Sequence, residues 1–236
     1  HSTVKKAIYN AAQSSGLDPA LLYSSAMEEG LREGIDSPNN VSEAYSIAST
    51  KKQFDENTYP IDGFRTYGLD TFGDQYKTLK KKGYLPEGFE QQFKTFKAEN
   101  ELKGQVTSAA FKTEDAALQA KAAMLRSTRD NLGSYTKKNN IKLSDKQQDF
   151  FNLVGYNAGE GNMQKMIQSY KQKGYLKDDN FLTDTNFKPA SYGQPYTYAQ
   201  RRLVNDDILK KEGYFEDYVP PTPVTQPTTQ PQVGTM

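Results

Sequence analysis

The chain has no cysteine and no tryptophan, and its single histidine is His1. Without cysteine there is no thiol nucleophile, no thiolate metal site and no disulfide. With histidine confined to position 1, a Ser-His-Asp triad, a His-paired nucleophile and a histidine-ligated zinc centre all lose their central reagent. Neither a G-x-x-x-x-G-K-[ST] loop nor a G-x-G-x-x-G turn occurs, so nucleotide chemistry has no foothold. An excess of one charge is missing too. The 30 Lys and Arg against 29 Asp and Glu give a net charge of +1, which offers no bulk attraction to nucleic acid or to an anionic membrane. No apolar run approaches the length of a membrane span. The reagents that remain are carboxylates, Tyr, Lys and Ser. Carboxylate chemistry without a cofactor points first to glycoside cleavage, so neither a metal nor a cofactor is expected.

What is present is a polar chain rich in rings. Mean hydropathy is −0.84, yet the 236 residues include 16 Tyr and 12 Phe. Aromatics on that scale argue for a folded globule, and the length suffices for one sizeable core or two small domains.

Periodicity reads as mainly α. Val4, Ile8, Ala11 and Ala12 have helical spacing over residues 3–15, and Gly16 ends that helix. A second helix is predicted from Pro19 to about Leu31, with Asp18 as N-cap and Pro19 at the first helical position. A short helix is expected over 41–51, and residues 54–72 read as loop or a small irregular sheet. Helices follow over 73–82 and 86–98, then a long one over 113–138, with Thr113 as N-cap and Leu118, Ala122, Leu125, Arg129 and Leu132 along its inner stripe. Ser144 to Gln147 forms a capping-box pattern that opens a helix running to Ala158. This helix is the most apolar in the chain, and we expect it to be central. Two more are predicted, over 161–173 and 198–211. Lys82-Gly83-Tyr84, Lys173-Gly174-Tyr175 and Glu212-Gly213-Tyr214 each follow a helix and read as helix stops. From residue 217 the composition turns to Pro, Thr, Gln and Val, which divides the chain into a domain over 1–216 and a linker or tail over 217–236.

The helix after Asp18-Pro19 ends in two acids, Glu28 and Glu29. Leu22, Ala26 and Glu29 lie at i, i+4 and i+7, so Glu29 shares a stripe with apolar side chains. Glu28 points about 100° away, so only one of the pair can face a common cleft. A glutamate at the edge of a buried face is a candidate for a raised pKa and for acid catalysis.

Three segments in order resemble the lysozyme-like superfamily, in its lytic transglycosylase and goose-type lysozyme branch. The first is Leu17-Asp18-Pro19-Ala20-Leu21-Leu22-Tyr23, running on to Glu28-Glu29-Gly30. The second is Tyr67-Gly68-Leu69-Asp70-Thr71-Phe72-Gly73, similar to the family's glycine-leucine-x-glutamine cleft loop. The third is Gly155-Tyr156-Asn157-Ala158-Gly159-Glu160-Gly161, similar to its tyrosine-asparagine-alanine-glycine-x-glycine signature. A fainter echo is Tyr196-Thr197-Tyr198-Ala199-Gln200-Arg201, which resembles the segment that starts the family's closing helix. The chain departs from the pattern in three places. Thr71 stands where the family has glutamine, Gly30 where it has serine, and residues 74–112 look like an insertion.

The resemblance implies a lysozyme-like helical domain with a central buried helix and a loop-rich cleft wall. It implies cleavage of the β-1,4 bond between N-acetylmuramic acid and N-acetylglucosamine, with Glu29 as the catalytic acid and then base. Asp70 is the first candidate for a second carboxylate, before Asp62 and Asp55. Tyr67, Gly68, Thr71, Tyr156, Asn157 and Tyr198 become substrate-binding candidates, and Tyr192 and Tyr196 join Tyr67 as rings on which a sugar could stack. The implied partner is the peptidoglycan glycan strand, outside the cytoplasm. The Gly68-Leu69-Asp70-Thr71-Phe72-Gly73 form resembles lysozyme-like domains of phage virion proteins, which implies a place in a larger protein or virion assembly. The alternatives are a secreted bacterial enzyme and a non-catalytic structural or glycan-binding module on the same fold.

Overall fold

The computed structural model describes residues 3–27, 71–100 and 104–220. They form a mainly helical fold with one two-stranded sheet. In chain order the elements are α1 (Thr3–Ser15), α2 (Pro19–Met27), α3 (Phe72–Lys81), β1 (Phe93–Asn100), β2 (Gly104–Phe111), α4 (Glu114–Lys138), α5 (Asp145–Ala158), α6 (Glu160–Gln172) and α7 (Gly193–Lys211). Among the described residues no helix is long and apolar enough to cross a membrane.

The helix signals written in the sequence operate as read. Asp18 Oδ1 accepts the Ala20 amide at 2.7 Å and so caps α2. Thr113 Oγ1 accepts the Ala116 amide at 3.2 Å and caps α4. Ser144 and Gln147 exchange side-chain and backbone hydrogen bonds in a full capping box on α5. The recurring Gly-Tyr stops close their helices: the Tyr84 amide reaches back to Leu79 O at 3.1 Å, and the Tyr214 amide to Leu209 O at 3.0 Å.

Helix α5 is packed on several sides, but it is not the most apolar helix as expected: α2 carries fewer polar side chains and is buried at every position from Pro19 to Ala26. Phe150, Phe151, Asn152, Leu153, Val154 and Gly155 are buried in succession, and six consecutive positions point in every direction around a helix. Neighbouring helices therefore surround it. α4 and α6 lie so close to it that a Cβ on Gly155 would be 2.6 Å from Thr128 Cγ2 of α4 and 2.8 Å from Met163 Sδ of α6. α7 runs antiparallel to it, with contacts from Lys146–Asp207 at 2.9 Å to Phe150–Tyr196 at 5.6 Å between ring centroids.

Two further readings need correction. The helix expected over 86–98 is a short 3₁₀ turn at Phe89–Gln92 followed by strand β1. Phe89, Phe93 and Phe96 have the spacing of a helical stripe, which misleads. Pairing with β2 settles the matter, with Phe93 opposite Phe111 and Lys97 opposite Thr107, a long-range contact that no local window reveals. Second, the last helix begins at Gly193, five residues before the expected Tyr198, with Pro195 in its first turn.

The strands pack on α3. Phe72 is fully buried, and its ring meets those of Phe89, Phe93 and Phe111 at 5.1–6.0 Å. Asp74 Oδ2 accepts the Thr107 amide at 2.9 Å. Gly73 allows this approach, because a Cβ there would sit 2.5 Å from Thr107 Cγ2 and 2.9 Å from Thr107 O. The motif glycine at 73 thus has a packing reason. At the far end the packed body reaches past residue 216. Asp217 pairs with Lys5 at 3.0 Å and accepts from the Tyr9 hydroxyl, and the Tyr218 ring lies 5.2 Å from that of Tyr9.

Candidate functional site

Glu29, Asp70, Tyr67 and Gly68 lie outside the described residues, as do Glu28, Asp55 and Asp62. Thr71, Tyr156, Asn157 and Tyr198 lie within them. Thr71 is the residue that opens α3. Its carbonyl accepts the Gln75 amide at 3.1 Å, and its hydroxyl accepts from Gln75 Nε2 at 2.8 Å. Tyr156 and Asn157 occupy the last turn of α5, both partly open to solvent. The chain then turns at Gly159, whose φ of 87° and ψ of 155° suit glycine almost alone, and α6 starts at once. Tyr156 and Asn157 are thus presented at the open end of a helix whose preceding six residues are all buried.

Lys121 of α4 is fully buried, and its Nζ donates to Tyr156 Oη at 3.1 Å while lying 4.3 Å from the ring centroid. On α7 the guanidinium of buried Arg202 stacks 3.2 Å from the Tyr198 ring centroid and donates to the Tyr198 carbonyl at 3.1 Å. Because α7 is antiparallel to α5, its N-terminal half, which carries Tyr198, lies toward the end of α5 that carries Tyr156.

These residues belong to a larger polar seam. Along α5, Asp149, Asn152 and Tyr156 lie at i, i+3 and i+7. Along α7, Tyr198, Arg202, Asp206 and Lys210 repeat every four residues. Asp206 is buried, takes a 2.7 Å bond from Lys210, and leaves its Oδ1 without a hydrogen-bond partner. Lys210 also pairs with Asp18 at 3.1 Å. Burial raises the Asp206 carboxyl above the usual carboxylate range, against the pull of Lys210. Asp149 is pushed up to about 6, chiefly by burial; Arg129 opposes the shift, and the negative charge of Asp206 adds to it. A carboxyl with that value can hold a proton near neutrality. It sits two turns, about 10 Å, below Tyr156 along the helix, so the two do not act on one atom. The Asn152 amide is fully enclosed, and neither its oxygen nor its nitrogen has a hydrogen-bond partner.

The sequence reading missed Lys121, Asp149, Asn152, Arg202 and Asp206. A signal was there. Asp149 precedes Phe150-Phe151, and Lys121 sits among alanines on a helix whose neighbours are apolar. A charge inside an apolar stripe either snorkels or is held, and only packing tells which. Tyr196 corrects the opposite error. It was a candidate ring for sugar stacking, but it is fully buried and its hydroxyl donates to Phe181 O at 2.6 Å and Asp184 O at 2.9 Å. It is a core residue. Tyr192 stays partly open.

Among the described residues no group of three or more His, Asp or Glu is arranged to hold a metal ion. Compared with protein-family models, curated proteins and solved structures, the chain has no match in any of the three.

Proposed function

We propose that this chain cleaves the β-1,4 bond between N-acetylmuramic acid and N-acetylglucosamine in peptidoglycan. The observation that carries the reading is the Tyr156-Asn157-Ala158-Gly159 segment. It ends a helix that is enclosed over six consecutive residues of a mainly helical fold, stays partly open to solvent, and has its tyrosine oxygen held by a buried cation. The acid of the reading is Glu29, which follows α2 in the sequence.

In this mechanism Glu29 protonates the departing glycosidic oxygen. The anomeric carbon is then attacked by water, or by the muramic 6-hydroxyl to give a 1,6-anhydro sugar, while Glu29 takes back a proton. Asp70 is the second carboxylate if water attacks. Tyr156, Asn157 and Tyr198 orient the acetamido sugar, and Tyr67, Gly68 and Thr71 are the further substrate-binding candidates. The setting is the cell wall, reached from outside the cytoplasm as part of a larger protein or virion.

Glu29→Gln is expected to lower muropeptide release from purified cell walls by about 100-fold or more, with the circular dichroism spectrum unchanged. Retained release would sink the assignment. Mass spectrometry of the products, anhydro against reducing ends, separates the two routes. One observation favours a second reading, a glycan-binding module without catalysis: the Thr71 hydroxyl, at the place of the family's glutamine, is already engaged by Gln75. That module binds walls without clearing them in a zymogram.

A further inference from the structure

One ammonium serves three carboxylates between α7 and its neighbours α2 and α5. Lys210, in the last turn of α7, donates to Asp206 at 2.7 Å and pairs with Asp18 Oδ2 at 3.1 Å. The other oxygen of Asp18, Oδ1, caps α2. Lys210 therefore ties the start of α2 to the end of α7. Asp206 is buried, and its Oδ1 has no hydrogen-bond partner. The third carboxylate is Asp149 of α5, which shares in neither bond but lies within the field of both.

The charges that act on Asp149 come from three helices and a helix start. Arg129 of α4 and Lys210 of α7 favour its ionised form, whereas Asp206 of α7 and Asp18 before α2 oppose it. Asp207 adds to the negative charge near Asp206 and pairs with Lys146 of α5 at 2.9 Å. Tyr218 feels Asp18 too, but its hydroxyl is raised above the ordinary value of 10.0 and is neutral below that pH. Coulomb interactions are mutual. A proton on Asp149 leaves Lys210 with two anionic partners. Once the proton is lost, a third anion competes for Lys210 and repels Asp206 and Asp18. Asp206 has no donor on Oδ1 to offset that repulsion.

We propose that Asp149 works this bridge as a proton-controlled clasp: with its proton on, Lys210 holds the start of α2 to the end of α7, and the anion formed when the proton leaves weakens that hold. Burial pushes the Asp149 carboxyl up to about 6, so the hold is full at lower pH and declines as pH rises through that value. The Lys210–Asp18 pair is partly open to water, which keeps the effect modest. The clasp is independent of the glycan-cleaving reading, and its test needs no substrate.

Two measurements test it. In the first, the carboxyl carbon of Asp149 is titrated by nuclear magnetic resonance in the parent chain, in Asp18→Asn and in Lys210→Met, with Asp149→Asn assigning the signal. Asparagine also caps helices, so Asp18→Asn removes the charge and keeps the cap. The Asp149 midpoint is expected to fall by a few tenths of a pH unit in Asp18→Asn and to rise by a similar amount in Lys210→Met. In the second, a double-mutant cycle of Asp18→Asn with Lys210→Met is run in chemical denaturation at about pH 5 and about pH 8. At the lower pH the pair should be coupled by about 2- to 5-fold in the unfolding equilibrium, and at the higher pH by less than about 1.5-fold. In an Asp149→Asn background the coupling should keep its lower-pH size at both. The proposal is overturned if the Asp149 midpoint stays in place or rises in Asp18→Asn, or if the coupling is equal at the two pH values. It is also overturned if the pH dependence survives Asp149→Asn, which would assign the proton to Asp206. Should Lys210→Met fail to fold, the midpoint in Asp18→Asn decides alone.

Discussion

The aromatic lobe formed by α3, β1 and β2 and the polar seam between α4, α5 and α7 both bury their side chains, but they bury opposite chemistry. In the lobe, Phe72 meets Phe89, Phe93 and Phe111 edge to face, and polar groups such as Tyr76, Lys80 and Glu90 join one another at the surface. In the seam, Lys121, Asn152, Arg202 and Asp206 are withdrawn from water. Compensation is incomplete at two of them, the Asn152 amide and Asp206 Oδ1. The lobe is arranged for stability. The seam gives up stability to hold charged and hydrogen-bonding groups away from water. Tyr156 and Tyr198, two of the candidate substrate residues, sit on the seam and not in the lobe.

Substitutions that break the comparison should move stability in opposite directions. The largest effect is expected in the lobe. Phe72→Ala removes a ring with no exposed surface that touches four other rings, and should cost about 3–5 kcal/mol in chemical denaturation. A cost under about 1 kcal/mol would mean that the lobe adds little to the global fold.

In the seam, Asp149→Asn should stabilise. Burial pushes the Asp149 carboxyl up to about 6 from an ordinary value of 3.8, so the folded state binds its proton more tightly. The penalty of the buried anion is present in full above pH 6 and is relieved as pH falls toward 3.8. The variant should therefore exceed the parent by about 2 kcal/mol well above that range. The gap should close on acidification, as read by denaturation midpoints across the pH series. A gap that widens on acidification would reverse the sign and remove Asp149 from the seam. The smallest effect sharpens the same contrast. Asn152→Leu replaces an enclosed, unpartnered amide and should gain about 1 kcal/mol. A loss of that size would show that the amide is satisfied in solution.

Much of the helical framework was legible because its signals are local. Asp18, Thr113 and Ser144 each cap a helix within three residues of their own position, and the boundaries of α5 follow from Ser144 and from the glycine after Ala158. The strands were not legible. Phe89, Phe93 and Phe96 satisfy a helical period as well as Phe93 satisfies a strand register, and the choice falls to Phe111, far along the chain. The candidate site divides in the same way. Tyr156 and Asn157 could be picked out by a short motif, and the end of α5 could be placed by its caps. That a lysine 35 residues away holds the Tyr156 oxygen could not be read, because nothing near Lys121 in the sequence distinguishes a buried amine from a solvated one.

The sequence by itself determined the mainly helical class, most helix boundaries, and the absence of cysteine and of any histidine but His1, which leaves carboxylates, Tyr, Lys and Ser as reagents. Those properties depend on composition and on contacts within about one turn of helix. Only the tertiary structure decided that residues 93–111 pair as strands, that Tyr196 belongs to the core, and that Lys121, Asp149 and Asp206 are drawn inward. The physical reason is that burial belongs to the packed assembly of helices and not to any one of them. A charge on an apolar stripe costs little in an isolated helix and several kcal/mol once neighbouring helices exclude water from it.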